Sequence, residues 1–224
     1  MSNSFILRRL SSLFFLFPLG FFLLIHGWIN LRLLGPDGIQ KFNESLSGYR
    51  SIPFLIPLEI LFLLVPLLIQ SYWIIHDVAH ARFSPFGSGL SLRYAAFRVC
   101  GLIAIVFIGF HLLSVRLRPE IVGVSADALW MVRLFETPWQ IWFYLAGSVA
   151  TLYYFAHGLW FFFVSWGFVV SPRAQGRLYI LCLIYFVVAS LLTVLVVGTL
   201  VYHYKPPPPA LELFMQGIRQ ALFR

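Results

Sequence analysis

The sequence predicts an all-α membrane protein with five transmembrane helices, four of which form a bundle around polar side chains. Of its 224 residues, 60% are hydrophobic and only 11% are charged. The mean hydropathy of +0.87 is well above that of a soluble domain of this size. Five apolar stretches reach the roughly 20 residues that a helix needs to cross a bilayer. The connections between them are too short for a water-soluble catalytic domain, so chemistry on a soluble substrate would have to lie on another chain.

The first two predicted spans each contain a proline. They lie at about 13–34, which contains Pro18, and at about 53–76, which contains Pro66. Proline lacks a backbone N–H and frees a carbonyl, so we expect both helices to be kinked. The connection at 35–52 opens on a Gly-Pro-Asp-Gly turn signal and is expected to continue as a short interfacial helix.

The other three predicted spans lie at about 94–115, 139–170 and 178–204. The fifth span is apolar on all sides and ends before a run of four prolines, so we expect it to pack on the bundle or to face lipid. The tail at 210–224 has apolar residues at helical spacing and is expected to lie on the membrane interface. All five spans belong to one transmembrane domain over 1–224.

The basic net charge of +8 is the charge bias expected of a membrane protein. Short loops on the cytoplasmic side carry an excess of arginine and lysine. The N-terminus and the loops at 77–93 and 171–177 hold several arginines against one acid, Asp77, whereas the opposite loops mix both signs. The N-terminus is therefore expected to be cytoplasmic, and nucleic-acid binding is not expected.

Four histidines lie inside strongly apolar segments, one on each of the first four spans: His26, His76, His111 and His157. An imidazole in a bilayer core is costly unless it faces the bundle interior and finds a partner. A haem iron held by two imidazoles needs two histidines at one depth on facing helices. At about 1.5 Å per residue, His26 and His111 fall toward the outer side, and His76 and His157 toward the cytoplasmic side. The depths predict two buried haems.

Other interpretations of the histidines stay open. Each can be a hydrogen-bonded core imidazole, or the set can form a proton relay in a non-redox transporter or assembly protein. Zinc, copper and non-haem iron fit less well, because they usually recruit cysteine or carboxylate clusters, and Glu59 is the one acid within a predicted span. His80 is the alternative ligand if His76 is not one. Four glycines allow close approach of either a macrocycle or a neighbouring helix: Gly27, Gly101, Gly147 and Gly158.

Five stretches carry a resemblance to a known family. The most specific is GLWFFFVSWGFVVSPRAQ (158–175). The others are RRLSSLFFLFPLGFFLLIH (8–26), FNESL (42–46), SIPFLIPLEI (51–60) and FRVCG (97–101). With these stretches the chain resembles the five-helix, dihaem cytochrome b membrane-anchor subunits of succinate dehydrogenase and fumarate reductase, of the Bacillus type. The fifth helix shares only its general apolar character with that family.

The resemblance implies a function and a set of partners. The chain would anchor a flavoprotein subunit and an iron–sulfur subunit at the bacterial cytoplasmic membrane. It would pass electrons from succinate oxidation through haem b to quinone, with menaquinone favoured. Without its partner subunits the chain would have no activity on succinate.

The resemblance also implies roles for particular residues. His26 and His111 fall on the family's ligands for the haem farther from the soluble subunits, whereas the positions for the nearer haem hold Gln70 and Tyr154. One possibility is that the nearer haem is retained and is held by the displaced His157 together with His76, or with His80 if His76 is not a ligand. The other possibility is that the anchor holds one haem.

Charged and polar loop residues complete the set of candidates. Contacts to haem propionates or partner subunits are expected from Arg8, Arg9, Arg93, Arg173 and Arg177, although membrane topology alone also explains arginines there. A second set near the outer haem is expected either to contact quinone or to be solvated: Lys41, Asn43 and Glu44.

Overall fold

The computed structural model describes residue 9 and the ranges 11–13, 15–80 and 89–202. Within these residues the chain is helical and forms no strand, and five helices are long and apolar enough to cross a membrane. This confirms the predicted fold class. Arg8 and the predicted interfacial tail lie outside the described residues.

Seven helices follow one another along the described chain. The five long ones are α1 (Ser11–Leu34), α3 (Leu55–Ala79), α4 (Gly89–Val122, with its apolar span at Leu92–Val122), α6 (Pro138–Ser165) and α7 (Pro172–Tyr202). Two shorter ones, α2 (Gly38–Arg50) and α5 (Ala128–Leu134), lie in the connections. The short helix predicted in the first connection is therefore present as α2.

Wide π-helical turns occur in α1, α3 and α4, and each is next to a proline. Pro18 lies within the turn Phe15–Leu19, Pro66 follows the turn Ile60–Leu64, and Pro119 follows the turn at 112–117. A proline cannot donate to the carbonyl four residues earlier, and its ring crowds that carbonyl. A widened turn accommodates the ring, which explains why the helix stays continuous across the proline.

The boundary between α6 and α7 differs from the prediction. The helix α6 ends at Ser165, because Gly167 takes a left-handed conformation with φ of 77°. Its N–H donates to the Val164 carbonyl (3.1 Å) and the Phe168 N–H donates to the Phe163 carbonyl (3.0 Å), which is a Schellman ending. The segment predicted as a loop at 171–177 is the start of α7, where Ser171 Oγ accepts from the Ala174 N–H at 3.3 Å and Pro172 takes the first helical position.

Hydrogen bonds at the two ends of the bundle show how the helices are arranged. Trp166 Nε1 donates to Ser12 Oγ at 3.0 Å, so the start of α1 lies beside the end of α6. We call this end the amino-terminal side. At the other end, Asn43 Oδ1 accepts from the Ala128 N–H at 3.0 Å and joins α2 to the start of α5. We call this end the opposite side.

The helix α6 is the centre of the bundle, since it packs against both α4 and α7. Buried side chains form two clusters along it. The larger lies toward the opposite side and includes Leu33, Phe107 and Tyr144. The smaller lies toward the amino-terminal side and consists of Phe15, Ile74, Tyr154 and Phe155 with their neighbours. These two clusters define the two depths at which polar side chains meet.

Candidate functional site

His26 on α1 and His111 on α4 face each other across two spans. Their ring centroids lie 5.8 Å apart, with an angle of 82° between the ring planes. Both imidazoles are only partly covered by the chain. The structure thus brings together two of the four predicted site histidines, at one depth toward the opposite side. Their role as ligands stays a prediction.

Aromatic rings surround this histidine pair. Phe22 stacks on His26 with centroids 5.5 Å apart, and Phe107 lies 5.7 Å from His111. Tyr144 on α6 approaches the same imidazole edge-on at 5.6 Å. The two histidines therefore lie among aromatic side chains of α1, α4 and α6.

A polar network next to His111 was not predicted from the sequence. The hydroxyl groups of Ser114 and Tyr144 form a buried hydrogen bond of 2.8 Å, and Trp130 Nε1 donates to the Ser114 carbonyl at 3.0 Å. Ser114 lies one helical turn after His111, and this spacing is the signal that could have indicated it. The network ties α4, α5 and α6 together at the depth of the histidine pair.

The donor set at this pair fits a haem better than a small metal ion. In the part of the chain that the structure describes, no group of three histidines, cysteines or carboxylates could hold a metal ion. Two imidazoles alone are sufficient for a haem, because the macrocycle supplies the other four iron ligands. Nδ1 of His111 is buried without a hydrogen-bond partner among the described residues, as is Nδ1 of His76 and of His157. An added Cβ at Gly27, next to His26, would meet nothing within 4 Å.

The other two predicted site histidines are not in ring contact with each other. His76 stacks on His80 with centroids 4.2 Å apart, and its Nδ1 lies 3.5 Å from Asp77 Oδ1. His157 is buried, and its nearest ring neighbours are Phe97 at 4.9 Å and Trp160 at 5.4 Å. The structure shows no contact between these two rings, and their role as ligands of a second haem stays a prediction.

Gln70 and Tyr154, by contrast, do meet. Gln70 Nε2 on α3 donates to the Tyr154 hydroxyl on α6 at 3.5 Å. Phe97 stacks on the tyrosine ring with centroids 4.5 Å apart and an angle of 11° between the planes. The space at this depth is therefore filled by side chains of the protein.

Three of the four glycines that the sequence singled out pack against side chains. An added Cβ would lie 2.3 Å from the ring of Phe107 at Gly147, 2.7 Å from Phe15 at Gly158 and 3.0 Å from Tyr154 at Gly101. These glycines thus allow aromatic side chains of neighbouring helices to approach.

The predicted arginines differ in whether their side chains contact other residues of this chain. Arg9 donates to the Ser165 carbonyl at 2.8 Å and lies over the Trp166 ring, and Arg93 lies over the ring of Tyr179 on α7. Arg173 and Arg177, on the first turns of α7, are exposed at the amino-terminal side. Among the described arginines of this predicted set, these last two are the ones that the fold presents outward.

The predicted quinone residues also differ. Asn43 holds the start of α5, as described above, and Glu44 accepts from Gln40 at 2.8 Å. Lys41 lines a depression of about 230 Å³ on the opposite side, with Trp28, Leu31, Arg32 and Gly35. A larger and more polar depression of about 410 Å³ on the same side is lined by charged residues that include Arg50, Arg116 and Glu120.

A charge cluster at this side includes the intramembrane acid Glu59. Arg116 donates to Glu59 Oε2 through Nε (3.3 Å) and Nη2 (3.2 Å), and to Glu120 at 2.6 Å. The Tyr49 hydroxyl donates to Glu59 Oε1 at 3.1 Å. Burial, followed by the negative charge of Glu59 and this hydrogen bond, raises the pKa of Tyr49 to about 12.

Comparison with known proteins gives one match. The chain is 30% identical over 192 residues to the succinate dehydrogenase cytochrome b558 subunit of Bacillus subtilis, a region that covers 84% of this chain and 93% of that protein. The chain belongs to the succinate dehydrogenase cytochrome b subunit family. No family model matches it, and no solved structure matches it. A succinate dehydrogenase cytochrome b subunit is a multi-pass membrane anchor, which agrees with the five apolar helices of this chain. The name cytochrome b implies haem b.

Proposed function

We propose that this chain anchors the flavoprotein and iron–sulfur subunits of a succinate:quinone oxidoreductase and conducts their electrons to quinone through a haem b. In this proposal, His26 and His111 would hold the haem iron. The observation that carries it is the contact of their rings, 5.8 Å apart, on two different spans. Membership of the cytochrome b subunit family supports the same function.

The residues around the pair have defined roles in this function. When bound, a haem supplies a one-electron carrier whose potential depends on its axial ligands and on the polarity around it. Phe22 and Phe107 limit the rotation of the two imidazoles and exclude water. The hydrogen bond between Ser114 and Tyr144 keeps α4 and α6 in register, so that His111 stays opposite His26.

The soluble subunits dock at the amino-terminal side, which we place in the bacterial cytoplasm. The exposed Arg173 and Arg177 lie there, and basic residues favour the cytoplasmic side of a membrane. The same exposed charges can pair with acidic residues of an iron–sulfur subunit, whereas Arg9 and Arg93 already contact the chain itself.

Quinone, with menaquinone favoured, binds on the opposite side in the depression that Lys41 lines. Trp28 offers an aromatic wall to a quinone ring, and the lysine ammonium can donate to a quinone carbonyl. Trp28 and Leu31 lie within two turns of His26 on α1, which keeps this site close to the histidine pair.

The purified complex tests the ligand assignment directly. A reduced-minus-oxidised spectrum should show a b-type α band, and His26→Ala and His111→Ala should each remove the haem held between these residues, because neither imidazole can be replaced from the described surroundings. Asn30→Ala is the matched control, since Asn30 is a polar residue on the same helix whose side chain, among the described residues, donates to the His26 carbonyl at 2.7 Å and to neither imidazole.

Two outcomes would contradict the proposal. A colourless complex would remove the cytochrome function and favour a proton relay in a non-redox membrane protein. Full haem content in both histidine variants would show that the ligands lie elsewhere.

A further inference from the structure

Two depths in the bundle can be compared along α6. At the first, which we call the histidine level, Tyr144 lies beside His111. At the second, which we call the tyrosine level, Tyr154 receives the hydrogen bond of Gln70. Ten residues of helix separate the two tyrosines, which is about 15 Å along the bundle. The tyrosine level is nearer the amino-terminal side, where the soluble subunits dock in the proposed function.

The tyrosine level is closely packed. The Tyr154 side chain is 8% exposed and is contacted by the ring of Phe97 on α4 at 4.5 Å and by the edge of Phe15 on α1 at 5.6 Å. A Cβ added at Gly101 would lie 3.0 Å from the Tyr154 ring and 3.2 Å from Ile74 on α3. Side chains of α1, α3, α4 and α6 thus meet at one tyrosine with the density of a protein core.

The two nearby histidines do not form a site around this packing. The ring neighbours of His76 are Tyr72 and Trp73 on α3 and His80 directly after its end. The ring neighbours of His157 lie on α4, α6 and α7: Phe97, Tyr153, Trp160 and Tyr179. The two histidines share no ring neighbour in the described chain. A bis-imidazole haem requires facing ligands, as His26 and His111 are.

We infer that the chain holds a single haem, at the histidine level, and that the tyrosine level is a side-chain plug in place of a second haem. The plug consists of Tyr154, Gln70, Phe97, Phe15 and Ile74. This inference rests on the proposed function and adds the number of cofactors to it. In the Gln70–Tyr154 hydrogen bond the tyrosine oxygen accepts from the glutamine amide within the apolar core, and the stacked Phe97 fills the volume beside them.

The haem content of the purified complex with its partner subunits tests this inference. A pyridine haemochrome assay, combined with amino-acid analysis, should give one haem b per cytochrome b chain, and a redox titration should follow a single one-electron curve. Two haems per chain, or a titration in two steps, would overturn the plug. No haem at all would overturn both the plug and the proposed function, so the two failures are distinguishable.

Variants give a second readout that separates the two histidine pairs. His76→Gln and His157→Gln should leave the haem content unchanged, whereas His26→Ala should remove it completely. A loss of half the haem in either glutamine variant would contradict a single-haem anchor. If a glutamine variant fails to assemble, the haem count and the titration of the unmodified complex still decide between one haem and two.

Discussion

Tyr49 shows how one side chain couples a loop helix to an acid within the membrane. It lies on α2, outside the spans, and its hydroxyl donates to Glu59 of α3. The same ring lies 6.4 Å from Phe22, which stacks on His26. Tyr49 therefore connects the charge cluster at the opposite side to the surroundings of the histidine pair.

The titration of Tyr49 is a prediction at this scale. Its pKa is about 12 in the folded chain, against roughly 10 when unfolded. The stabilisation it contributes is therefore complete below pH 10 and is lost as the pH rises through about 12. The phenolate absorbance of the complex, after subtraction of a Tyr49→Phe variant, should show this midpoint. Glu59→Gln should lower the midpoint part of the way, and a midpoint near 10 in the unmodified chain would contradict the assignment.

Lys41 is expected to act on quinone binding rather than on haem binding. Lys41→Met removes a charged donor from the depression, so the KM for a water-soluble quinone should rise about tenfold, while kcat and haem content change little. Gln40→Ala is the matched control, because Gln40 is its exposed neighbour on α2. An unchanged KM in the lysine variant would place the quinone elsewhere.

At the scale of elements, glycines on α6 allow side chains of the neighbouring helices to approach its backbone closely. Gly147 lies against Phe107 of α4, and Gly158 lies against Phe15 of α1. A membrane bundle has little hydrophobic driving force between helices, so close packing at small residues contributes much of their association. The glycines of α6 therefore support the histidine pair indirectly, because they fix the distance between the helices around it.

Substitution of Gly147 should separate α4 from α6. In Gly147→Ala the new methyl group would lie 2.6 Å from Cβ of Phe107, an atom that cannot swing away from its backbone, so the bundle must shift at a cost of about 1 to 3 kcal/mol. We expect a lower Tm and weaker haem retention. Gly198→Ala on α7 is the control, since nothing lies within 4 Å of its added Cβ. Equal stability of the two variants would argue against a tight α4–α6 contact.

At the scale of the whole molecule, the two sides of the bundle differ in character. The amino-terminal side presents the exposed Arg173 and Arg177, whereas the opposite side carries the helices α2 and α5 and the Glu59–Arg116 ion pair. This asymmetry suits a chain that receives soluble subunits on one side and serves a membrane-soluble quinone on the other.

Charge reversal should identify the docking side. Arg173→Glu together with Arg177→Glu should weaken the association of the soluble subunits about tenfold or more at low salt, because like charges would then face the partner. Arg133→Glu is the control, since Arg133 is exposed on α5 at the opposite side. Co-purification of the iron–sulfur subunit with the tagged chain gives the measurement. A greater loss in the Arg133 variant would reverse the proposed orientation.

The number of spans, the family and the short helix α2 in the first connection could be predicted from the sequence. Hydropathy and turn signals are local properties, so a window of about 20 residues is sufficient to recognise a span. The depth of a histidine follows from its position in the span, which is why His26 and His111 were predicted at one depth. The start of α7 at Pro172 was missed because its first turns are polar and lie outside the apolar window.

Which side chains meet across the bundle was decided only by the tertiary structure. That outcome depends on the rotation of each helix about its axis, and a helix such as α7, apolar on all sides, carries little information about its rotation. His76 and His157 have suitable depths, yet their rings point into different surroundings, while Gln70 and Tyr154 face each other. By itself the sequence determined a five-helix anchor with histidines at two depths. Only the tertiary structure shows that aromatic side chains pack closely around Tyr154 at one of those depths, because the rotation of each helix sets which side chains meet.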